Sequence, residues 1–293
     1  MQNKPDFATV ATTGDYSDLI NTPTAISDFT MDANSDNITN LADPVSDQDA
    51  ATKAYVDLFE NRIVALELEA GMLVEDIDGN IYETVKIGNQ IWMAENLKVT
   101  HYPNGDTIPL VTYNTDWGDL AGDNTSDAYS YYNNDTSGEA LYTYAAAIAD
   151  NWTRDLTTNQ GICPDGWHLP SDDEWKELEM ALGMSQTEAD DDGYRGTNEG
   201  SKLAGSADLW DDGALVNDGA FGTSGFTGLP GGFRVSSSGD FSSVGAFGRW
   251  WTATEDSSVT YYAWYRDLGY NSSSALRFNT SKGNGFSVRC LRD

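Results

Sequence analysis

The sequence predicts an α+β domain at its C-terminal end, carried on a short coiled coil and preceded by an extended N-terminal segment. Three observations predict this. Of 293 residues, all nine Trp lie after residue 90 and 13 of 15 Tyr after residue 80, whereas residues 1–72 hold five aromatics and no Trp. A packed core needs bulky apolar groups, so the core belongs to the C-terminal part. Apolar residues at Val56, Phe59, Ile63, Leu66 and Ala70 step by 3, 4, 3 and 4, which is a heptad seam. From Leu73 onward the pattern changes to short β-forming runs broken by turn residues. The boundaries expected are 1–45, 46–72 and 73–293.

In chain order, residues 1–45 are polar and show no sustained period of 2 or 3.6, with turn formers at Gly14, Pro23 and Pro44. Ser46 and Asp49 suit a capped helix start, and Gly71 suits its end. One amphipathic helix packed on the C-terminal domain is the other reading of this stretch. Asp78-Gly79-Asn80 and Gly88-Asn89 are hairpin turns between β-formers such as Ile81, Val85, Ile87, Ile91 and Trp92. A weak helix is expected over Leu141 to Asn151. A stronger one starts at the capping box Ser171-Asp-Asp-Glu174, places Trp175, Leu178 and Leu182 on one face, and stops at Gly183. Residues 193–293 hold 17 of the 28 Gly with aromatics interleaved, so loops wrapped on a few strands are expected.

The formal net charge is −31. Such a field repels phosphate backbones and anionic lipid, which argues against nucleic acid and simple membrane-surface binding. Residues 250–293 depart from this, with five Lys/Arg against four Asp/Glu. No run approaches the 18 or so apolar residues of a membrane span, and Met1 to Asp6 does not read as a signal peptide. Synthesis in the cytoplasm and action on an extracellular particle are expected. Cys163 and Cys290 fit no zinc spacing. A disulfide and two buried thiols both remain open, and the two residues are expected to approach each other.

Several segments carry a resemblance. Thr13–Thr24 looks like a short motif of phage tail fibres, and Ala51-Thr-Lys-Ala-Tyr-Val-Asp57 resembles the start of their trimeric coiled coils, which implies a homotrimer on Val56, Phe59, Ile63 and Leu66. The run Cys163-Pro-Asp-Gly-Trp-His-Leu-Pro-Ser-Asp-Asp-Glu-Trp175 is similar to a signature of the Fibrobacter succinogenes major paralogous domain. So are Glu199–Leu203, Gly225–Phe233, Trp250–Glu255 and Gly285–Arg292, in the family's order over roughly 73–293. The resemblance implies a C-type-lectin-like fold of the formylglycine-generating-enzyme type and a binding rather than catalytic role. In the related enzymes a cysteine pair serves catalysis; here Cys163 and Cys290 match framework positions.

Catalytic constellations are not evident. His168 precedes a helix and His101 sits in a loop, neither with a nucleophile suggested by pattern. Asp190-Asp-Asp-Gly193 could contribute to a structural calcium site but lacks EF-hand spacing; no other cofactor is expected. The binding candidates are Tyr262, Trp264, Tyr265, Arg266, Tyr270, Asn271, Arg277 and Asn279, whose types dominate recognition surfaces. At least half should be exposed on one face, while Ala263, Leu268, Leu276, Phe278 and Phe286 point inward. The function expected is a receptor-binding tail fibre of a phage or phage-tail-like particle, docked on a baseplate through residues 1–45 and binding a cell-surface glycan or protein. A host adhesin without a particle and an enzyme of unknown type are the alternatives.

Overall fold

The computed structural model describes residues 62–68, 70–120, 125–149 and 160–293, and the backbone of 30–31 and 38–39. Val56, Phe59, the start at Ser46 and most of 1–45 lie outside the described residues. Within 1–45, strands β1 (Thr30–Met31) and β2 (Ile38–Thr39) pair antiparallel. Helix α1 covers 62–68, with Ile63 49% and Leu66 54% exposed on the single chain. It closes as a Schellman motif: Met72 N–H donates to the Glu67 carbonyl, Gly71 N–H donates to that of Leu68, and Gly71 takes φ +68°.

The compact C-terminal unit spans Val64–Asp293. Its first strands follow the turns expected from sequence: β3 (Leu73–Glu75), β4 (Ile81–Ile87) and β5 (Gln90–Met93), with Ile87 opposite Gln90 across Gly88-Asn89. There follow α2 (Asn114–Asp119), β6 (Tyr129–Tyr131), β7 (Ala140–Tyr142) and α3 (Tyr144–Ile148). Leu141 is thus a strand residue, and the helix expected from Leu141 begins only at Tyr144. The reason is local: Thr143 has extended φ/ψ and its side chain caps Ala146 N–H, while β7 pairs with β6.

Next come β8 (Trp167–His168), α4 (Asp172–Ala181), α5 (Gln186–Asp190), β9 (Gly193–Arg195), α6 (Glu199–Leu203) and α7 (Ala214–Asn217). Both halves of the Ser171–Glu174 capping box form at the start of α4, and Ser185–Glu188 forms a second box at α5. The chain closes with β10 (Phe233–Arg234), β11 (Phe241–Ser242), β12 (Phe247–Glu255), β13 (Tyr262–Gly269), β14 (Ala275–Ser281) and β15 (Leu291–Arg292).

Two larger sheets organise these elements. One has the order β3-β4-β5-β15-β8, so the last strand inserts between strands from two earlier parts of the chain. The other is antiparallel with the order β12-β13-β14-β9. Trp92, Trp175, Phe226 and Trp250 meet in one core cluster, with Trp92 and Trp175 centroids 4.9 Å apart. A second cluster holds Tyr82, Tyr142, Trp251 and Phe286. Cys163 and Cys290 are joined by a disulfide, with Cα atoms 5.9 Å apart, and both are buried. The bond ties the loop before β8 to the segment leading into β15, closing a long loop against chain entropy.

Candidate binding face

The β13–β14 hairpin carries all eight binding candidates, and its register decides which face each takes. Trp264 pairs with Asn279, Arg266 with Arg277 and Tyr262 with Ser281, so these side chains share one face of the sheet. That face is turned towards α4. Arg266 donates from Nη1 to Asp172 Oδ1 and from Nε to Glu179 Oε1, each at 2.8 Å. Arg277 Nη2 donates to Asp172 Oδ2 at 2.8 Å, and its guanidinium lies 3.8 Å from the Trp264 ring centroid. Arg195 Nη2 donates to Glu179 at 2.6 Å. Burial alone would raise the Asp172 carboxyl, but the bonds and charges of Arg277 and Arg266 reverse this and hold it well below the usual carboxylate range.

Arg266, Arg277 and Tyr265 are therefore buried, where exposure was expected. The two arginines are buried because α4 presents carboxylates to them, and Tyr265 is buried because it packs on Phe286, 5.0 Å between centroids. Asn279 is half-buried, and its amide donates to Asp256, which anchors the loop after β12. Tyr262, Trp264 and Tyr270 are half-buried, and of the eight Asn271 alone is fully exposed. Tyr262 and Trp264 lie at one end of the hairpin and Tyr270 and Asn271 at the other, so they form no single exposed patch. Phe278, expected inward, is 46% exposed.

Phe278 marks the opposite face, which sequence reasoning missed. There Arg249 lies opposite Asp267, Asp267 opposite Leu276, and Leu276 opposite Tyr194, a row across all four strands. Phe247 and Phe278 flank this row. Tyr194 is 47% exposed, and Phe233, Phe247 and Leu276 are half-buried. A side chain at Gly269 would meet the Tyr194 hydroxyl at 2.8 Å and the Phe247 ring at 3.0 Å, so this glycine lets the two rings close over the strand. Its nearest neighbours also include the Asn271 amide oxygen, which brings that predicted residue to this face.

Arg249 Nε donates to Asp267 Oδ2 at 2.6 Å, and its guanidinium sits 3.9 Å from the Phe233 ring centroid. Asp267 is buried, and its Oδ1 has no partner among the described residues. Burial pushes its carboxyl up to about 6 against the opposing pull of Arg249. Burial also raises the Tyr194 hydroxyl.

The other candidates resolve into framework. His168 bonds Asp293 through Nδ1 at 2.6 Å and Glu174 through Nε2 at 2.9 Å, linking β8 to the α4 cap. His101 Nδ1 lies 2.5 Å from Asp78 Oδ1. Asp190 is bound by Lys176 at 3.2 Å and Gln186 at 3.0 Å, and among the described residues no group of His, Cys, Asp or Glu is arranged to hold a metal ion. Arg289, fully buried, donates to Asn96 and to the Met93, Phe226 and Thr227 carbonyls.

The recurring motifs thus build a cystine-stapled α+β scaffold in which one sheet face stays partly uncovered, at Tyr194, Phe247 and Phe278. Residues 85–292 match the model of the Fibrobacter succinogenes major domain, and the chain belongs to that family. No curated protein and no solved structure matched the chain.

Proposed function

We propose that this chain is a receptor-binding fibre of a phage or phage-tail-like injection particle, with a C-type-lectin-like head that holds a cell-surface target. The observation that carries the binding role is the partly uncovered sheet face on which Tyr194 and Phe278 are nearly half exposed and Phe247 and Arg249 half-buried, aromatic and arginine side chains presented on strands. The lectin-like assignment draws support from β15 pairing beside β5, which joins the two ends of the domain in one sheet.

The fibre reading draws on the tail-fibre-like segments at Thr13–Thr24 and Ala51–Asp57 and on the seam residues Ile63 and Leu66, which the single chain leaves exposed. In this reading three chains bury Val56, Phe59, Ile63 and Leu66 together, and residues 1–45 dock on a baseplate or tail protein. Clustering three heads raises a weak single-site affinity through effective concentration.

Light scattering tests assembly. The expected mass is three times the 31.9 kDa chain, and Ile63→Asp should yield monomers whose residues 73–293 remain folded. A wild-type monomer at micromolar concentration rejects the fibre. Binding of the wild-type chain to isolated cell envelopes tests the adhesive role.

A further inference from the structure

Arg249 differs from Arg234, Arg266, Arg277 and Arg289, and from Arg195, whose Nη1 and Nη2 are both bonded and whose unpartnered Nε is buried. Arg234, Arg266, Arg277 and Arg289 each donate hydrogen bonds from all three guanidinium nitrogens to groups within the domain. Arg249 uses Nε alone, for Asp267. Its Nη1 and Nη2 have no hydrogen-bond partner among the described residues and are not buried, and its side chain keeps 19% exposure. Two parallel N–H donors therefore reach solvent on the open sheet face. Phe233 holds the guanidinium plane from one side, and the exposed rings of Tyr194 and Phe278 stand on the same face.

We infer that this face binds a neutral saccharide, with Arg249 Nη1 and Nη2 donating to sugar oxygens and Tyr194 and Phe278 packing on the apolar C–H faces of the rings. This rests on the reading of the domain as a binding head. Three observations select the ligand class. The donors are already neutralised by Asp267 at 2.6 Å, so they offer direction without net charge. The chain carries −31, which opposes polyanionic ligands. Peptide addition at the β12 edge is blocked, because Phe247 and Arg249 carbonyls already accept from Gly232 and Ser287, and the other edge, β9, has three residues. A pyranose offers both needs of the site, oxygen acceptors at its rim and a C–H face for the negative face of an aromatic ring. Among the described residues no group of carboxylates at this face is arranged to hold a cation, so the proposed contacts call for none.

Affinity electrophoresis of the full chain tests this in gels containing soluble neutral glucan, mannan or galactan, with polygalacturonate as the charged counterpart and EDTA present throughout. Retardation by a neutral polysaccharide is expected. Tyr194→Ala and Phe278→Ala, both at exposed positions, should each weaken it about tenfold or more. Arg249→Lys, which keeps the charge facing Asp267 but loses the fork, should do the same with an unchanged far-ultraviolet spectrum. Failure of all three neutral polymers, retardation by polygalacturonate alone, or retardation unchanged by these substitutions overturns the saccharide assignment. Wild-type binding to protease-sensitive envelope sites alongside such a failure identifies a protein ligand and leaves the adhesive role standing. Absence of any envelope binding removes the adhesive role itself.

Discussion

On the face of the β12-β13-β14-β9 sheet turned towards α4, Arg266, Arg277 and Arg195 meet Asp172 and Glu179. On the opposite face, Arg249 meets Asp267. The residue types are the same and the strands are shared, yet one set is sealed and the other open. In the sealed set each carboxylate serves two guanidinium groups, so removal of one partner strands charge in a low-dielectric interior. In the open set a single pair is capped by rings, two guanidinium nitrogens still reach solvent, and the carboxyl can take up a proton. An arginine flanked by aromatics is thus a poor guide to a binding site unless the element covering its face is known.

The largest expected effect breaks the sealed set. Asp172→Ala leaves Arg266 and Arg277 facing each other without their shared carboxylate and should cost ~3–5 kcal/mol in denaturant unfolding. A loss below about 1 kcal/mol would mean that water or rearrangement replaces the carboxylate, and the two faces would then be energetically alike.

A smaller effect separates the two sets by pH. The folded Asp267 carboxyl stands near 6, above the 3.8 of an unperturbed group, so between those values the folded state holds more protons than the unfolded one. The Asp267 contribution to stability should therefore fall as pH rises from about 4 to 6, by at most ~3 kcal/mol at about 1.4 kcal/mol per pH unit. Asp267→Asn should flatten that slope. Asp172 acts oppositely, since its folded carboxyl is depressed: its contribution is present above about 4 and lost as pH falls further. His168 acts outside the window. Burial would lower it, Glu174 and Asp293 raise it, and its contribution is full below about 6.5 and lost as pH rises through its folded value. Against the effect of burial, His168 and the Ser171 cap hold Glu174 down, which adds an opposing rise at the acid end of this window. The test is therefore the difference: a pH slope that Asp267→Asn leaves unchanged would contradict the assignment of a raised Asp267.

The smallest effect sharpens the comparison from the open side. Tyr194→Ala and Phe278→Ala should each change the unfolding free energy by less than about 1 kcal/mol, because both side chains are nearly half exposed. A loss of ~3 kcal/mol in either would show that these rings are core and that this face closes on itself.

Much of the frame was legible in the sequence. The capping box at Ser171, the stop at Gly71 and the hairpin at Gly88-Asn89 depend on contacts a few residues long, and they form where the pattern placed them. The binding candidates were less so. Composition singled out the right hairpin but not its open face, because Arg266 and Arg277 find Asp172 some 94 and 105 residues away. One signal was available: Asp172, Trp175, Leu178 and Glu179 fall on one helix face and are all buried, and two carboxylates among core positions call for buried cations.

The sequence by itself therefore determined the local elements, the C-terminal placement of the core and the family to which the frame belongs, because periodicity, turn chemistry and capping act over one or two turns of chain. Tertiary structure decided which arginines are framework and which reaches solvent. A strand gives each side chain one of two faces, and what covers a face comes from elsewhere in the chain: α4 over Arg266 and Arg277, and, among the described residues, no helix over Tyr194 and Phe278.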